Sequence, residues 1–273
     1  NHSKQKRVMS SEGQSPIVVK IGGALLDRDA VLATLWSQLQ MLQETAPVVL
    51  VHGGGPQMTA LAERLDHTPR RVQGRRVTTD LDLEIAKWSM AGALNTQLVA
   101  DATARDLSAV GLSGADATQV QVEKRPPWTV DGETVDFGWV GDIEAVDPSL
   151  VEGLLAQNVM PVVAPLSVDA DGQLYNVNAD TVAGALAEEL EARVLYFVTE
   201  TEGVRRRADD PTTRLDTCTP GLVERGVAEG WIEGGMRVKL ATALDALRDG
   251  VGHAVICAAD DLTARERATT VIC

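Results

Sequence analysis

Aromatic residues make up only 3% of the chain, and lysine occurs six times in 273 residues. A core must therefore be built from Ala, Val and Leu, which a hydrophobic content of 44% supplies in quantity. Cysteine is equally sparse. Cys218, Cys257 and Cys273 form neither a CxxC pair nor a metal-ligand spacing, which excludes a disulfide scaffold and fits a reducing cytoplasm. The four histidines, His2, His52, His67 and His253, are too scattered to make a metal site. No apolar run reaches membrane-spanning length and no secretory signal pattern is present. The GxxxxGK(S/T) loop is missing, as are a GxGxxG turn opening the first helix, HExxH, GxSxG and the EF-hand loop. Those absences exclude P-loop nucleotide chemistry and the common zinc, serine-hydrolase and calcium sites. Positive charge is short as well. A formal net charge of −14 argues against nucleic-acid binding as the main role.

What is present is a regular alternation. Apolar strand-like runs at residues 17–21, 47–51, 109–112, 160–164, 194–199 and 253–257 are separated by helical patterns at 28–44, 57–65, 80–105, 179–191 and 236–249. Strands alternating with helices predict an α/β fold with a mostly parallel sheet covered on both faces. Residues 118–143 break the rhythm with Pro126-Pro127 and an Asp131-Gly132 turn, and read as short antiparallel strands or a hairpin at a sheet end. Residues 1–15 open on a basic stretch unlike the rest and read as an added or disordered leader. A turn at Asp169–Gly172 sets a loose boundary, giving an N-terminal lobe over 16–172 and a C-terminal lobe over 173–273.

Two glycine-rich turns carry the strongest chemical signal. One is Lys20-Ile21-Gly22-Gly23 and the other His52-Gly53-Gly54-Gly55-Pro56, each between a strand-like run and a helix-like segment. Glycine there lets backbone N–H groups approach an anion, and a helix N-terminus adds favourable partial charge. The alternatives are a solvated Lys20 at a strand end and a tight strand-to-helix turn after His52. Arg76, in Gly74-Arg75-Arg76-Val77-Thr78, is either a surface charge or a bidentate grip on a carboxylate. Asn176, Asn178 and Asp180 fall on one side of a strand-to-helix junction, where they either cap the helix or face a ligand. Gly234-Gly235-Met236-Arg237-Val238-Lys239 opens a helix with Lys239 read in its first turn. A lysine there opposes the helix dipole, so a local anion explains it.

These stretches, with Gly111-Leu112-Ser113-Gly114, stand in the same order as in the amino-acid kinase family, and the chain resembles that family over residues 16 to about 257. The Arg-Val-Thr and Asn-Val-Asn-Ala-Asp pieces favour its N-acetylglutamate-phosphorylating branch over the aspartate, glutamate, carbamate and uridylate kinases. The resemblance implies a three-layer αβα sandwich around an open, mainly parallel sheet of about eight strands. It implies ATP as phosphoryl donor, Mg²⁺ with it but no dedicated protein cage, and N-acetylglutamate as acceptor in arginine synthesis. Lys20 and Lys239 would neutralise the moving phosphoryl group, with Gly22, Gly23 and Gly54 donating N–H bonds and Asp180 orienting the lysines. Gly54, Gly55, Arg76, Asn176 and Asn178 would hold the acyl-amino acid. Lys20, Gly22, Thr199, Glu200, Gly203, Gly235, Met236 and Lys239 would hold the nucleotide. Glu200 stands where the family usually has Asp. The resemblance further implies a cytoplasmic homodimer with neither nucleic-acid nor membrane partners. No extra helix is read before the first strand, so arginine feedback is not expected.

Two other readings remain at this point. One is a related kinase acting on a carrier-protein-linked 2-aminoadipate or glutamate, for which Arg70, Arg71, Arg75 and Arg76 offer a basic rim. The other is a catalytically silent paralogue that senses an amino acid or nucleotide.

Overall fold

The computed structural model describes residues 15–130 and 132–273. The leader expected at 1–15 therefore lies outside it save for the last residue, as does Asp131 of the expected turn. An eight-stranded sheet runs through the middle. Its strands in chain order are β1 (Ile17–Ile21), β2 (Val48–His52), β3 (Ala109–Ser113), β4 (Met160–Ala164), β5 (Val194–Val198), β6 (Thr217–Cys218), β7 (Ala254–Cys257) and β8 (Thr269–Val271). Their order across the sheet is β6-β8-β7-β5-β1-β2-β4-β3. All neighbours are parallel except β7 and β8. The sheet is thus mainly parallel, as the alternation predicts, with β6 and β8, the two strands at one edge, running opposite to the other six.

The two-residue period of each strand divides its side chains between two cores. Ile17, Val19 and Ile21 of β1, with Val48 and Leu50 of β2, pack on one face. There they meet Leu35, Trp36, Leu39 and Leu42 of helix α1 (Asp29–Gln43) and Leu98 of a long second-layer helix. That spacing forms a single apolar stripe on α1. Val18 of β1 and Val49 and Val51 of β2 face the other way, into Val182, Ala183, Leu186 and Ala187. Those four belong to helix α3 (Ala179–Glu189); helix α4 (Gly234–Arg248) adds Leu240, Ala243 and Leu244 to the same core. Helix α2 (Gly55–Arg64) follows β2 and begins with Pro56 in its first turn, where a missing N–H is not needed.

The helix expected over 80–105 is continuous in path but made of three pieces. Asp80–Ala86 and Asn95–Thr103 are α-helical, and Lys87–Leu94 between them is a π-helix. Thr79 caps its start through a reciprocal box with Asp82. The 118–143 segment forms the strands Val120–Lys124 and Trp128–Val130, the latter paired in a hairpin with Glu133–Val135. Val120–Lys124 pairs antiparallel with Gly141–Val146 in a four-stranded side sheet that also holds Leu166–Val168 and Leu174–Asn176.

Candidate active site

Lys20 shares its face of β1 with Val18, so its side chain enters the layer that α3 covers. Asp180 is the second residue of α3 and meets it there. The Lys20 Nζ lies 2.8 Å from Asp180 Oδ1, and Lys239 Nζ lies 3.1 Å from Asp180 Oδ2. One carboxylate therefore holds two ammoniums, one on each oxygen. Burial draws the Lys20 amine below its ordinary value, Asp180 opposes that shift and the Lys239 charge adds to it. The local sum of two cations and one anion leaves a positive charge at the floor of a cleft.

Lys239 does not sit in the first turn of its helix. The helix begins at Gly234, whose φ of +52° suits glycine, so Lys239 lies in the second turn. Helical side chains lean toward the N-terminus, and this lean carries the Lys239 ammonium back beside Gly235, where an added Cβ would lie 3.7 Å from it.

The two glycine turns touch. Gly53 N–H donates to Ile21 O at 2.9 Å, and a Cβ on Gly23 would come within 3.0 Å of both Gly54 Cα and Gly54 N. Gln57, in the first turn of α2, donates from Nε2 to Gly23 O at 2.9 Å. Gly54 also rests on the π-helical segment, with Met90 Cγ 2.5 Å from where its Cβ would be. A Cβ on Gly22 or Gly55 would meet open space. Behind the second turn, His52 is fully buried. Asn95 Nδ2 donates to His52 Nε2 at 3.1 Å and to Val162 O at 2.8 Å, which leaves His52 Nδ1–H to donate to Gly53 O at 2.9 Å. Burial pushes His52 down to about 4, so the ring is neutral and holds the turn rather than carrying a proton. Asn95 closes over Gly111, where any Cβ would collide with its side-chain oxygen.

Arg76 is buried and already engaged. It donates to Asp82 Oδ1 at 3.2 Å, Thr59 Oγ1 at 2.7 Å and Gly55 O at 3.4 Å. Burial pushes the Asp82 carboxyl up, but hydrogen bonds from Thr79, His67 and Arg76 outweigh it and hold the group below its usual value. Arg76 thus lies against the N-terminus of α2, and among the described residues part of its donor set is unused. Asn176 Nδ2 donates to Thr78 Oγ1 at 3.2 Å. Asn178 caps α3, its Oδ1 accepting from Asp180 N–H at 2.8 Å and Thr181 N–H at 3.3 Å. The capping alternative holds for Asn178, though its residue also lines the cleft.

A cleft of about 1170 Å³ gathers these groups. Lys20, Gly23, Gly54, Gly55, Arg76, Asn176, Asn178, Asp180 and Gly235 all line it. Thr199, Glu200, Gly203, Gly22, Met236 and Lys239 do not, although the Lys239 ammonium reaches Asp180, which does. Thr199 continues β5, one strand beside β1, and its hydroxyl donates to Thr201 O at 2.7 Å. Gly203 packs on Thr269, and Glu200 reaches out to Arg28 at 3.6 Å on the exposed surface. These residues leave the same carboxyl edge of the sheet but are not brought to the cleft. Sequence reasoning missed Gln57, Asn95, Thr59 and Asp82. Only Asp82 had a local signal, since Thr79-Asp80-Leu81-Asp82 places an acid three residues after a threonine, the spacing of a capping box.

A model of the amino acid kinase family matches residues 15–258. The chain belongs to the amino acid kinase family. An acetylglutamate kinase of Methanopyrus kandleri is 41% identical over 88% of this chain and 93% of its own. Another from Myxococcus xanthus is 42% identical over 86% of this chain and 79% of its own. Among solved structures, a Streptococcus mutans protein superposes with a TM-score of 0.79 at 24% identity, covering 94% of this chain and 98% of its own. A carbamate kinase from Giardia lamblia bound to AMP-PNP gives a TM-score of 0.68 at 14% identity over 96% of this chain and 99% of its own. These two establish the fold alone, an open αβα sandwich.

Proposed function

We propose that this member of the family transfers the γ-phosphoryl group of ATP to the γ-carboxylate of N-acetyl-L-glutamate, a step of arginine synthesis. The observation that carries the reading is the pair of ammoniums of Lys20 and Lys239 on opposite oxygens of Asp180 beneath two touching glycine turns. Relatives named acetylglutamate kinase, at about 40% identity over most of both chains, support the acceptor.

A glutamyl carboxylate has a reference pKa of about 4.3, so at neutral pH it is already a nucleophile and needs no general base. In the transfer, a carboxylate oxygen forms a bond to the γ-phosphorus while the bond from that phosphorus to the β,γ-bridging oxygen breaks, and ADP leaves with the electron pair. The protein's task is to bring two anions together and offset the charge that moves between them. In this reading Lys20 and Lys239 do the second part, with N–H groups of Gly22, Gly23 and Gly54. Asp180 fixes both lysines and takes no proton. Gly54, Gly55, Arg76, Asn176 and Asn178 hold the acyl-amino acid. Gly235 and Met236, with Thr199, Glu200 and Gly203 further along the edge, serve the nucleotide. The lobes over 16–172 and 173–273 then take the acceptor and ATP respectively, and close the site between them.

No cluster of three His, Cys, Asp or Glu side chains able to hold a metal ion occurs among the described residues. In our reading Mg²⁺ arrives on the phosphates of ATP. We further propose that the enzyme works in the cytoplasm as a homodimer. Cys218 and Cys257, buried and unbridged, support a reducing compartment, and Leu81 and Trp88, exposed seven residues apart on one long helix, support a self-association face. No described helix is long and apolar enough to cross a membrane. Exposed Arg70 and Arg71 favour the carrier-linked acceptor as the second reading. Trapping the acyl phosphate with hydroxylamine, using Mg-ATP and either free N-acetylglutamate or the carrier conjugate, separates them. Hydroxamate from the free acceptor supports the first. Acceptor binding without any hydroxamate makes the chain a sensor instead.

A further inference from the structure

The residues just assigned leave one strongly charged part of the cleft unused. Trp128, from the side hairpin, has the Arg75 guanidinium 4.9 Å and the Arg125 guanidinium 4.8 Å from its ring centroid. Arg125 is buried and balanced, donating from Nε to Asp142 Oδ1 at 3.0 Å and from a terminal nitrogen to the same oxygen at 2.5 Å. Arg75 has no carboxylate partner among the described residues. Neither does Arg237, which reaches the same cleft from the first turn of α4, in the other half of the chain. Glu233, one turn before Arg237, is exposed and makes no ion pair with it, and Asp245 is taken by Arg248. Burial draws Arg75 down, the Arg125 and Arg237 charges add to this, and only Asp142 opposes. In a chain of net charge −14, Arg75, Arg125 and Arg237 line one cleft, and of these three only Arg125 is paired with a carboxylate, that of Asp142.

We infer that Arg75, Arg125 and Arg237 form, around Trp128, an anion subsite at the mouth of the cleft that takes an oxyanion, carboxylate or phosphate, distinct from the two groups that react. A guanidinium presents a planar fork matched to such anions. The indole beneath Arg75 fixes that fork by stacking, so little freedom is lost when an anion docks. Small-molecule pockets usually hold about 300–1,000 Å³. This cleft exceeds that range at about 1170 Å³, leaving room beyond a short acyl-amino acid. The oxyanion has two possible sources: a nucleotide phosphate other than the one transferred, or an acid at the far end of a longer acyl chain on the acceptor. The subsite goes beyond the proposed reaction and does not depend on it, because its test reads binding without turnover.

The test is intrinsic tryptophan fluorescence of the full chain, titrated separately with ADP, N-succinyl-L-glutamate and N-acetyl-L-glutamate. Arg75→Gln and Arg237→Gln should each weaken ADP or N-succinylglutamate by about tenfold, a typical effect of one charge-assisted contact. N-acetylglutamate should change by less than about twofold on the same scale. Trp128→Phe should remove the signal while equilibrium dialysis still detects the ligand. Weakening confined to ADP assigns a nucleotide phosphate, and weakening confined to the succinyl ligand assigns an acyl acid. Unchanged affinities in folded variants overturn the subsite. So does equal weakening of all three ligands, or the same weakening from Arg71→Gln, an exposed arginine whose strand pairs with that of Arg75 and which lines the cleft without stacking on Trp128.

Discussion

Lys20 could be found by reading because it is the one charged residue in an otherwise apolar strand; its partner could not. Nothing in the spacing of Lys20, Asp180 and Lys239 shows that their charged atoms meet within 3.1 Å, because three separate elements bring them together. The same limit applied to arginine. Arg75 and Arg76 are neighbours, yet strand geometry turns them to different surroundings, Arg76 to Asp82 and Thr59 and Arg75 to Trp128. If Lys239 acts on the moving charge, Lys239→Ala removes an interaction that strengthens during transfer. Turnover should fall by about 10²–10³-fold, as for loss of one electrostatic contact to a transition state, while acceptor KM stays within a few-fold. Steady-state kinetics with both substrates varied decide it, and an equal loss in kcat and binding would count against the role.

Elements, rather than residues, explain why the glycines are where they are. Six of the eight strands of the central sheet were legible because each is a short apolar run between turn signals, and their two-sided burial follows from the period of two. The π-helical segment was not, since its sequence keeps a helical pattern throughout and only the tertiary fit of Met90 beneath Gly54 distinguishes it. Gly23→Ala probes the contact between the two turns. Its Cβ would meet Gly54 backbone at 3.0 Å, which no rotamer change relieves. The turns must separate, at an overpacking cost of about 1–3 kcal/mol in urea unfolding and with a larger proportional loss of activity. Gly55→Ala, whose Cβ meets open space, should cost less stability. His52 gives this element a pH dependence. Above pH 6.5 the ring is neutral whether folded or not, so it adds no slope. As pH falls from 6.5 toward 4, the unfolded chain takes up a proton that the buried ring refuses, and stability is lost. Over that interval the loss is about 3 kcal/mol. Urea unfolding of His52→Gln between pH 7 and 4.5 should show that limb flattened; an unchanged limb would mean that other groups cause it.

Across the whole molecule, the alternation of strands and helices announced the layered sheet, but not the order of its strands. The short strands Thr217–Cys218 and Thr269–Val271 at one edge carry no run long enough to read, and one of them reverses the direction of pairing. Asp180 occupies the place where the two ends of the chain are joined. It lies on α3, Lys20 comes from β1 and Lys239 from α4, so a single carboxylate ties the first strand to the last long helix. Asp180→Asn should therefore test the assembly and not only the site. It leaves the buried Lys20 ammonium and the partly buried Lys239 ammonium facing each other without a counter-ion, and breaking a buried pair in this way costs about 3–5 kcal/mol. The deficit has a direction in pH. Burial already holds Lys20 below its ordinary value, and removing Asp180 takes away the charge that opposed that shift. Once the folded form sheds this proton while the unfolded form keeps it, stability rises with pH, so the deficit should be largest near neutrality and shrink toward pH 9.5. An anion should do the same work as the missing carboxylate. ADP should then raise the melting temperature of Asp180→Asn by more than it raises that of the unaltered chain, in parallel thermal scans. A variant that unfolds like the unaltered chain at neutral pH, with no greater response to ADP, would show that the two lysines are held apart by the surrounding layers and do not depend on Asp180.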